Sequence, residues 1–220
     1  MTGMTAPVMT TRAGRLTGVT ILSYTGAMTI AGNSGRGIAR RERHWRILRW
    51  AAAAVLLSVP WFMMQVSDEW DWRPESFVLF GAMLAGALGA YELAVRMSGS
   101  WAYRAGAALA IATGFVLVWM NLAVGVIGPE DNPANLMYGG VLLVGAAGAV
   151  LARLEPRGMA LASLAAALSL MVVAAIAATF WGNEPPGRIG VLVLNGAFAT
   201  PYLAAAWLFR EAARSQGVGA

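Results

Sequence analysis

Six long uncharged runs, most of them strongly apolar, divide this chain and constrain its fold more than any other feature. The runs are residues 50–67, 76–91, 105–129, 132–152, 158–183 and 189–209. A helix needs about 20 apolar residues to cross a bilayer; five runs approach or exceed that length, and the second reaches it by continuing through Glu92 to Val95. The runs lack the polar–apolar alternation of membrane β-strands. The sequence therefore predicts an all-α polytopic membrane protein with six transmembrane helices.

The basic residues are concentrated in alternate connecting segments. All sixteen are arginines, and fourteen lie before the first run, between the second and third, between the fourth and fifth, or after the last. Only Arg73 and Arg188 lie in the other connecting segments, which are acidic or nearly neutral. Short cytoplasmic loops of membrane proteins carry an excess of basic residues. The charge pattern thus predicts that both termini face the cytoplasm.

Tryptophan residues support the same orientation, because their amphipathic rings favour the headgroup level of a bilayer. The predicted cytoplasmic ends of the helices carry Trp45, Trp50, Trp101 and Trp207. The predicted outer ends carry Trp70, Trp72 and Trp181. The aromatic and charge patterns therefore agree on the arrangement of the helix ends.

The first 43 residues differ in composition from the rest, being rich in Thr, Gly and Arg. A signal peptide or seventh helix over their apolar patch would place the six arginines between residues 36 and 49 outside the membrane, against the charge bias. The sequence therefore predicts a disordered cytoplasmic arm over residues 1–43, a six-helix transmembrane domain over 44–214 and a cytoplasmic tail over 215–220. The alternative for the arm is that translation begins nearer the first helix.

The composition argues against several kinds of chemistry. The chain is 58% hydrophobic and 12% charged, whereas about a quarter of the residues in a soluble domain are charged. It has no cysteine, which excludes thiol nucleophiles, disulfides, iron–sulfur clusters and zinc sites with cysteine ligands. Its single histidine, His44, lies outside the apolar runs. We therefore expect no enzymatic activity, no metal and no cofactor, and we expect no nucleic-acid partner because the arginines serve membrane orientation.

The most distinctive segment is the predicted outer loop before the fourth helix. Asn132 suits a helix N-cap and Pro133 suits the first helical position, so a helix is predicted to begin there. The acidic residues before them would lie near the positive end of that helix dipole. The alternative is a site for a hard cation built from carboxylate and amide oxygens, although the spacing matches no known cation-binding loop. The loop residues concerned are Glu130, Asp131, Asn132 and Asn135.

Three polar side chains within the apolar runs are candidates for a functional site: Asn121, Tyr138 and Asn195. Each is predicted to lie about six residues from the outer end of its helix, roughly 9 Å deep at about 1.5 Å per residue. At a common depth they would either line an outward-facing polar pocket or hydrogen-bond one another. Asparagines between membrane helices usually stabilise packing, so the second interpretation is favoured.

Glu92 is the only acidic residue inside an apolar segment, and an intramembrane carboxylate is by default a functional-site candidate. Arg96 follows four residues later, in the order that favours an ion pair along a helix. Because Glu92 is predicted one turn from the cytoplasmic end, an ion pair whose side chains extend to the headgroups is the favoured interpretation. A role in proton coupling is the alternative.

Glycines in the second and fourth predicted helices indicate close helix packing, since small residues let membrane helices approach one another. These glycines are Gly81, Gly86, Gly89, Gly140, Gly145 and Gly148. A phosphate-binding loop would lie outside the bilayer, so we expect these positions to be packing contacts.

Four segments of the sequence are similar to a known group of proteins. They are Asp68-Glu-Trp-Asp-Trp72, Ala90-Tyr-Glu-Leu-Ala94, Glu130-Asp-Asn-Pro-Ala-Asn-Leu-Met-Tyr138 and Arg153-Leu-Glu-Pro-Arg-Gly-Met159. Over residues 45–214 the chain resembles a family of small bacterial multi-pass inner-membrane proteins with no assigned activity. The resemblance implies a location in the bacterial cytoplasmic membrane and a start of translation near the first helix. It implies no mechanism.

The sequence leaves three classes of function open, of which a membrane enzyme is the least favoured because no apolar region contains a pair of acids. The first is an accessory or structural component that contacts the lipid bilayer and packs against another membrane protein or a second copy of itself. The second is a transporter or channel for ions or small solutes, with the polar candidates of helices three, four and six in an outward-facing site. The first is favoured because the chain lacks the several buried charges that coupled transporters use.

Overall fold

The computed structural model describes residues 46–67 and 72–217, and the predicted arm over residues 1–43 lies outside the described residues. Six helices are long and apolar enough to cross a membrane, and the described ranges contain no strand, so the predicted all-α membrane fold is confirmed. The helices are α1 (Arg46–Val66), α2 (Pro74–Met97), α3 (Trp101–Ala123), α4 (Met137–Leu151, preceded by a 3-10 turn over Pro133–Leu136), α5 (Pro156–Phe180) and α6 (Gly187–Gly217).

The chain separates into two compact units, residues 1–56 and 57–220. The described part of the first unit is residues 46–56, the beginning of α1. This part is helical throughout and contains four consecutive alanines, which have the highest helix propensity. The second unit contains the rest of α1 and all of α2 to α6.

Helices α5 and α6 form the most extensive pair of the second unit. In addition, α3 packs against α6, α4 packs against α5, and α2 packs against α3. Close approach is possible because the buried face of α5 consists mainly of small side chains. That face includes Ala160, Ala162, Ser163, Ala166, Ala167, Ala174 and Ala177. The central apolar stretch of α5 is 50% buried, the largest share among the six helices.

The predicted glycine contacts form most clearly between α4 and α5. A Cβ atom on Gly148 would lie 2.8 Å from the Cβ of Ala162, and one on Gly145 would lie 3.7 Å from the Cβ of Ala166. The first distance is too short for any side chain, so the approach of α4 to α5 depends on Gly148. The other predicted contacts are absent at three glycines within the described chain, because no atom lies within 4 Å of a Cβ built on them. These are Gly86, Gly89 and Gly140.

The end of α3 differs from the prediction, because the helix stops at Ala123, six residues before the apolar run ends. The chain turns at Gly125 and Gly128, whose φ values of +79° and +66° are readily adopted by glycine. Between them, Val126 and Ile127 are fully buried in the apolar core. Hydropathy alone does not distinguish a helical turn from an apolar loop folded back into the bundle.

The short connections between α3, α4, α5 and α6 make neighbouring helices antiparallel. One end of the second unit carries the connections 124–132 and 181–186 and is termed the acidic end, after Glu130, Asp131 and Glu184. The opposite end carries the connections 98–100 and 152–155 and the last turns of α6, and is termed the arginine end.

At the arginine end, α3 holds the turn between α4 and α5. The hydroxyl of the fully buried Tyr103 donates a hydrogen bond to the carbonyl oxygen of Leu154 at 2.6 Å. Arg153 and Leu154 have positive φ values of 50° and 60°, which are uncommon for residues other than glycine. The ring of Tyr103 also packs edge-on against Phe209 with 5.2 Å between centroids. Tyr103 therefore joins α3, α6 and the tight α4–α5 turn.

Candidate functional site

The predicted site residues other than Glu92 and Arg96 lie at and just below the acidic end. Among them, Asn135 makes the most side-chain hydrogen bonds to the α3–α4 loop. Its side-chain oxygen accepts hydrogen bonds from the backbone N–H groups of Val126 at 3.1 Å and Ile127 at 2.9 Å. Its side-chain nitrogen donates to the carbonyl oxygen of Pro129 at 2.9 Å. Asn135 is buried, so these bonds satisfy backbone groups that have no helical partner. The side chain thereby closes the α3–α4 loop.

Asn132 is the predicted N-cap, and this prediction is confirmed. Its side-chain oxygen accepts a hydrogen bond from the backbone N–H of Ala134 at 2.9 Å, and helical structure begins at Pro133. The first turn is a 3-10 turn, so the α-helix itself begins four residues later at Met137.

The cation-site alternative for this loop has little geometric support. The side-chain oxygen of Asn135 accepts two N–H groups, which occupies both of its lone pairs. The side-chain oxygen of Asn132 is taken by the cap, and Glu130 and Asp131 are exposed. Within the described ranges, no cluster of three or more acidic or histidine side chains is placed to hold a metal ion.

The α3–α4 loop also contacts the connection between α5 and α6. The backbone N–H of Gly128 donates a hydrogen bond to the carbonyl oxygen of Pro185 at 2.7 Å. A Cβ atom on Gly128 would lie 2.9 Å from the side-chain nitrogen of Asn132, and the φ of +66° at this position also favours glycine. The peptide bond between Pro185 and Pro186 is cis. The two connections together cover α3 to α6 at the acidic end.

Deeper in the bundle, Tyr138 of α4 and Asn195 of α6 bind each other. The side-chain nitrogen of Asn195 donates hydrogen bonds to the Tyr138 hydroxyl at 3.0 Å and to the carbonyl oxygen of Val191 at 2.9 Å. Asn195 is 0% exposed and Tyr138 is 1% exposed, so neither lines a pocket open to the outside. The side-chain oxygen of Asn195 has no hydrogen-bond partner among the described residues.

Asn121 lies nearer to the acidic end than the sequence predicts. Because α3 ends at Ala123, Asn121 is in its last turn and not six residues deep. Its side-chain nitrogen donates to the backbone carbonyl oxygen of Asn135 at 3.0 Å, while its buried side-chain oxygen has no partner in the described part of the chain. Asn121 therefore binds the loop, and it does not share the hydrogen bond between Tyr138 and Asn195.

Glu92 and Arg96 lie in the last two turns of α2, at the arginine end, as predicted. Glu92 is half-buried and Arg96 is exposed. The ion pairs shown for the described residues do not include these two side chains, and their pairing stays a prediction.

Two cavities within the second unit lie away from the predicted site. An apolar cavity of about 310 Å³ is lined by α2 to α5 and by Tyr202 of α6. A cavity of about 270 Å³ lies beside a cluster of aromatic rings near the acidic end, among them Phe80 and Trp119. Neither is lined by Asn121, Tyr138 or Asn195. These two cavities therefore do not bring the three candidates together.

Sequence reasoning missed the buried hydroxyl groups elsewhere in the bundle. Tyr103 binds Leu154, whereas Ser163 and Tyr202 line the 310 Å³ cavity and make no side-chain hydrogen bond to a described residue. The available signal was a hydroxyl-bearing residue inside an apolar run. That signal singled out Tyr138 because its predicted depth matches that of Asn121 and Asn195. It applies equally to Tyr202, whereas Tyr103 lies two residues before the third apolar run and lacks the signal.

The six apolar helices of spanning length are consistent with a multi-pass integral membrane protein. No family model matches the chain, and no curated protein or solved structure matches it. The resemblance to small bacterial inner-membrane proteins therefore stays an expectation based on four segments of sequence. Function is argued below from geometry and charge.

Proposed function

We propose that this chain is an accessory or structural component of the bacterial cytoplasmic membrane, without enzymatic activity. The observation that carries the proposal is that the candidate polar side chains form hydrogen bonds within the protein. Tyr138 and Asn195 bind each other, and Asn121 and Asn135 bind the α3–α4 loop. Such bonds hold helices and loops together. They supply no pair of groups for acid–base chemistry and no open polar surface for a substrate.

The proposed orientation places the arginine end in the cytoplasm. The exposed side chains at that end include Arg96, Arg153, Arg157, Arg210 and Arg214. An excess of arginine in short loops and at helix ends retains those ends on the cytoplasmic side. Trp101 and Trp207 are also exposed at this end, where their rings suit the headgroup level.

One surface suits a partner helix. Along α2, small side chains at four positions are exposed on one face with helical spacing: Ala82, Ala85, Gly86 and Gly89. The two glycines have no atom of the described chain within 4 Å of a Cβ position. Small residues allow a second membrane helix to approach closely. This stripe supports packing against another membrane protein or a second copy of the chain.

Purification from native membranes in a gentle detergent, followed by mass spectrometry, tests the proposal. We expect a stoichiometric protein partner, and we expect Gly86→Leu with Gly89→Leu to lower its yield. The matched control is Gly140→Leu on α4, another exposed glycine with no atom of the described chain within 4 Å, which should leave the yield unchanged. A chain purified alone, in monomeric form, with a bound small solute would contradict the accessory function.

The alternative of a transporter or channel is favoured by one observation. The side-chain oxygens of Asn121 and Asn195 are buried and have no partner among the described residues, and such an oxygen is costly unless a water or solute binds it. In a transporter, Asn195→Leu would abolish binding of a co-purified solute, in addition to the stability lost with the hydrogen bond to Tyr138. In a structural component, the same change would lower stability and leave the yield of partner per folded protein unchanged.

A further inference from the structure

A groove between α5 and α6 at the arginine end has no role in the proposed function. Its volume is about 370 Å³. Arg157 of α5 and Arg210 of α6 line it nearest the helix ends, together with Trp207. Its deeper walls are apolar and include Leu161, Leu164 and Leu203. It is termed the Arg157–Arg210 groove.

The two arginines give the groove an uncompensated positive charge. Both are exposed, and neither forms an ion pair with a described residue. Glu211 is next to Arg210 in sequence, but its carboxylate pairs with Arg214 at 3.5 Å. Two guanidinium groups therefore line one groove without a bound carboxylate, which favours an anionic ligand at this point.

Along the groove, each helix carries an arginine near its end and a leucine deeper in the bundle. Leu164 lies seven positions after Arg157 on α5, and Leu203 lies seven positions before Arg210 on α6. Because the helices are antiparallel, both intervals run from the arginine end into the bundle, over about 10 Å at roughly 1.5 Å per residue. A matching ligand has an anionic head and an apolar chain. Trp207, which is 59% exposed beside the arginines, suits the headgroup level of a bilayer.

We propose that the Arg157–Arg210 groove binds one anionic phospholipid, with its phosphate between the two guanidinium groups and an acyl chain along the leucines. Guanidinium matches phosphate geometry through paired N–H donors. Basic pockets between membrane helices are known to bind anionic headgroups in this way. The proposal needs the chain to lie in a membrane but does not depend on its being an accessory component.

The test is a lipid titration of the purified full-length chain in mixed micelles, read by native mass spectrometry. Phosphatidylglycerol and phosphatidylcholine with identical acyl chains separate charge from apolar contact. We expect phosphatidylglycerol to bind more tightly than phosphatidylcholine. Arg157→Gln and Arg210→Gln should each weaken the affinity for phosphatidylglycerol by about fivefold. The matched control is Arg214→Gln, one turn further along α6 and outside the groove, which should change binding by less than about twofold.

Three results would overturn the proposal. Equal binding of the two lipids would remove the role of the arginines. An equal loss in Arg214→Gln would indicate diffuse surface charge and no defined groove. Displacement of the lipid by an equimolar amount of inorganic phosphate would indicate a site for free phosphate. Thermal unfolding of each variant without lipid shows whether the variant is folded. Arg210→Lys, which keeps the positive charge, should retain part of the binding, so lost binding is distinguished from misfolding.

Discussion

Asn135 shows how one side chain replaces regular secondary structure in a buried loop. Backbone N–H groups inside a bilayer protein have no water to bind, so the protein must supply their acceptors. A single amide offers an acceptor to Val126 and Ile127 and a donor to Pro129. Aspartate would keep the acceptor and lose the donor, and alanine would lose both. The choice of asparagine therefore follows from the loop's own backbone.

Asn135→Ala should lower the free energy of unfolding by about 2–4 kcal/mol, because two buried N–H groups lose their acceptor. Asn132→Ala loses one capping bond and should cost about 1 kcal/mol. Reversible unfolding in mixed detergent micelles, followed by circular dichroism, measures both. Asn183→Ala, at an exposed position, is the control and should have no effect. If Asn135→Ala proves as harmless as the control, the loop does not depend on this side chain.

The three tyrosines that are buried in the described part of the chain differ in the partners of their hydroxyl groups, which permits a matched series of Tyr→Phe changes. Tyr103→Phe loses the bond to Leu154, and Tyr138→Phe leaves an N–H of Asn195 without its acceptor. Each should cost about 0.6–1.7 kcal/mol of unfolding free energy. Tyr202→Phe loses no side-chain hydrogen bond within the described chain and should cost close to nothing. The same unfolding assay measures all three, and an equal loss in Tyr202→Phe would contradict this assignment.

At the scale of the helices, the sequence predicts number and type well because bilayer thickness sets the length of each span. The helix ends follow local chemistry that hydropathy does not register. At Pro133 a proline and a cap appear in the sequence, so that start is predictable. At Ala123 no charge or proline marks the end of α3, and the turn depends on positive φ at Gly125 and Gly128. Glycine is too common in these helices for such a turn to be recognised.

Gly148 gives the sharpest test of helix packing. In Gly148→Ala the new Cβ would lie 2.8 Å from the Cβ of Ala162, so α4 and α5 must separate, at a cost of about 1–3 kcal/mol. Gly140→Ala on the same helix places a Cβ in open space and should be neutral or slightly stabilising. Comparison of the two unfolding free energies removes the common effect of replacing a helical glycine. Equal values would show that α4 and α5 are not in close contact there.

At the scale of the whole molecule, the predicted common depth of the three polar candidates agrees with the structure for Tyr138 and Asn195 and misplaces Asn121, for one shared reason. Both predictions depend on distance from a helix end. The ends of α4 and α6 lie close to their predicted positions, so Tyr138 and Asn195 meet, whereas α3 ends early and Asn121 moves to the loop. The bonds of Asn135 were beyond prediction, because they join groups that only the folded turn brings together.

The orientation of the molecule is testable with single cysteines, since the natural chain has none. Asp131→Cys reports on the acidic end and Gln216→Cys on the arginine end, and both residues are exposed. Fourteen of the sixteen arginines lie in the sequence segments predicted to be cytoplasmic, so we expect a membrane-impermeant maleimide to label Asp131→Cys in intact cells. Gln216→Cys should react only after permeabilisation, because retention of arginine in the cytoplasm sets the topology. The reverse pattern would place both termini outside and contradict the proposed orientation. Labelling of both variants in intact cells would instead show that the chain inserts in two orientations.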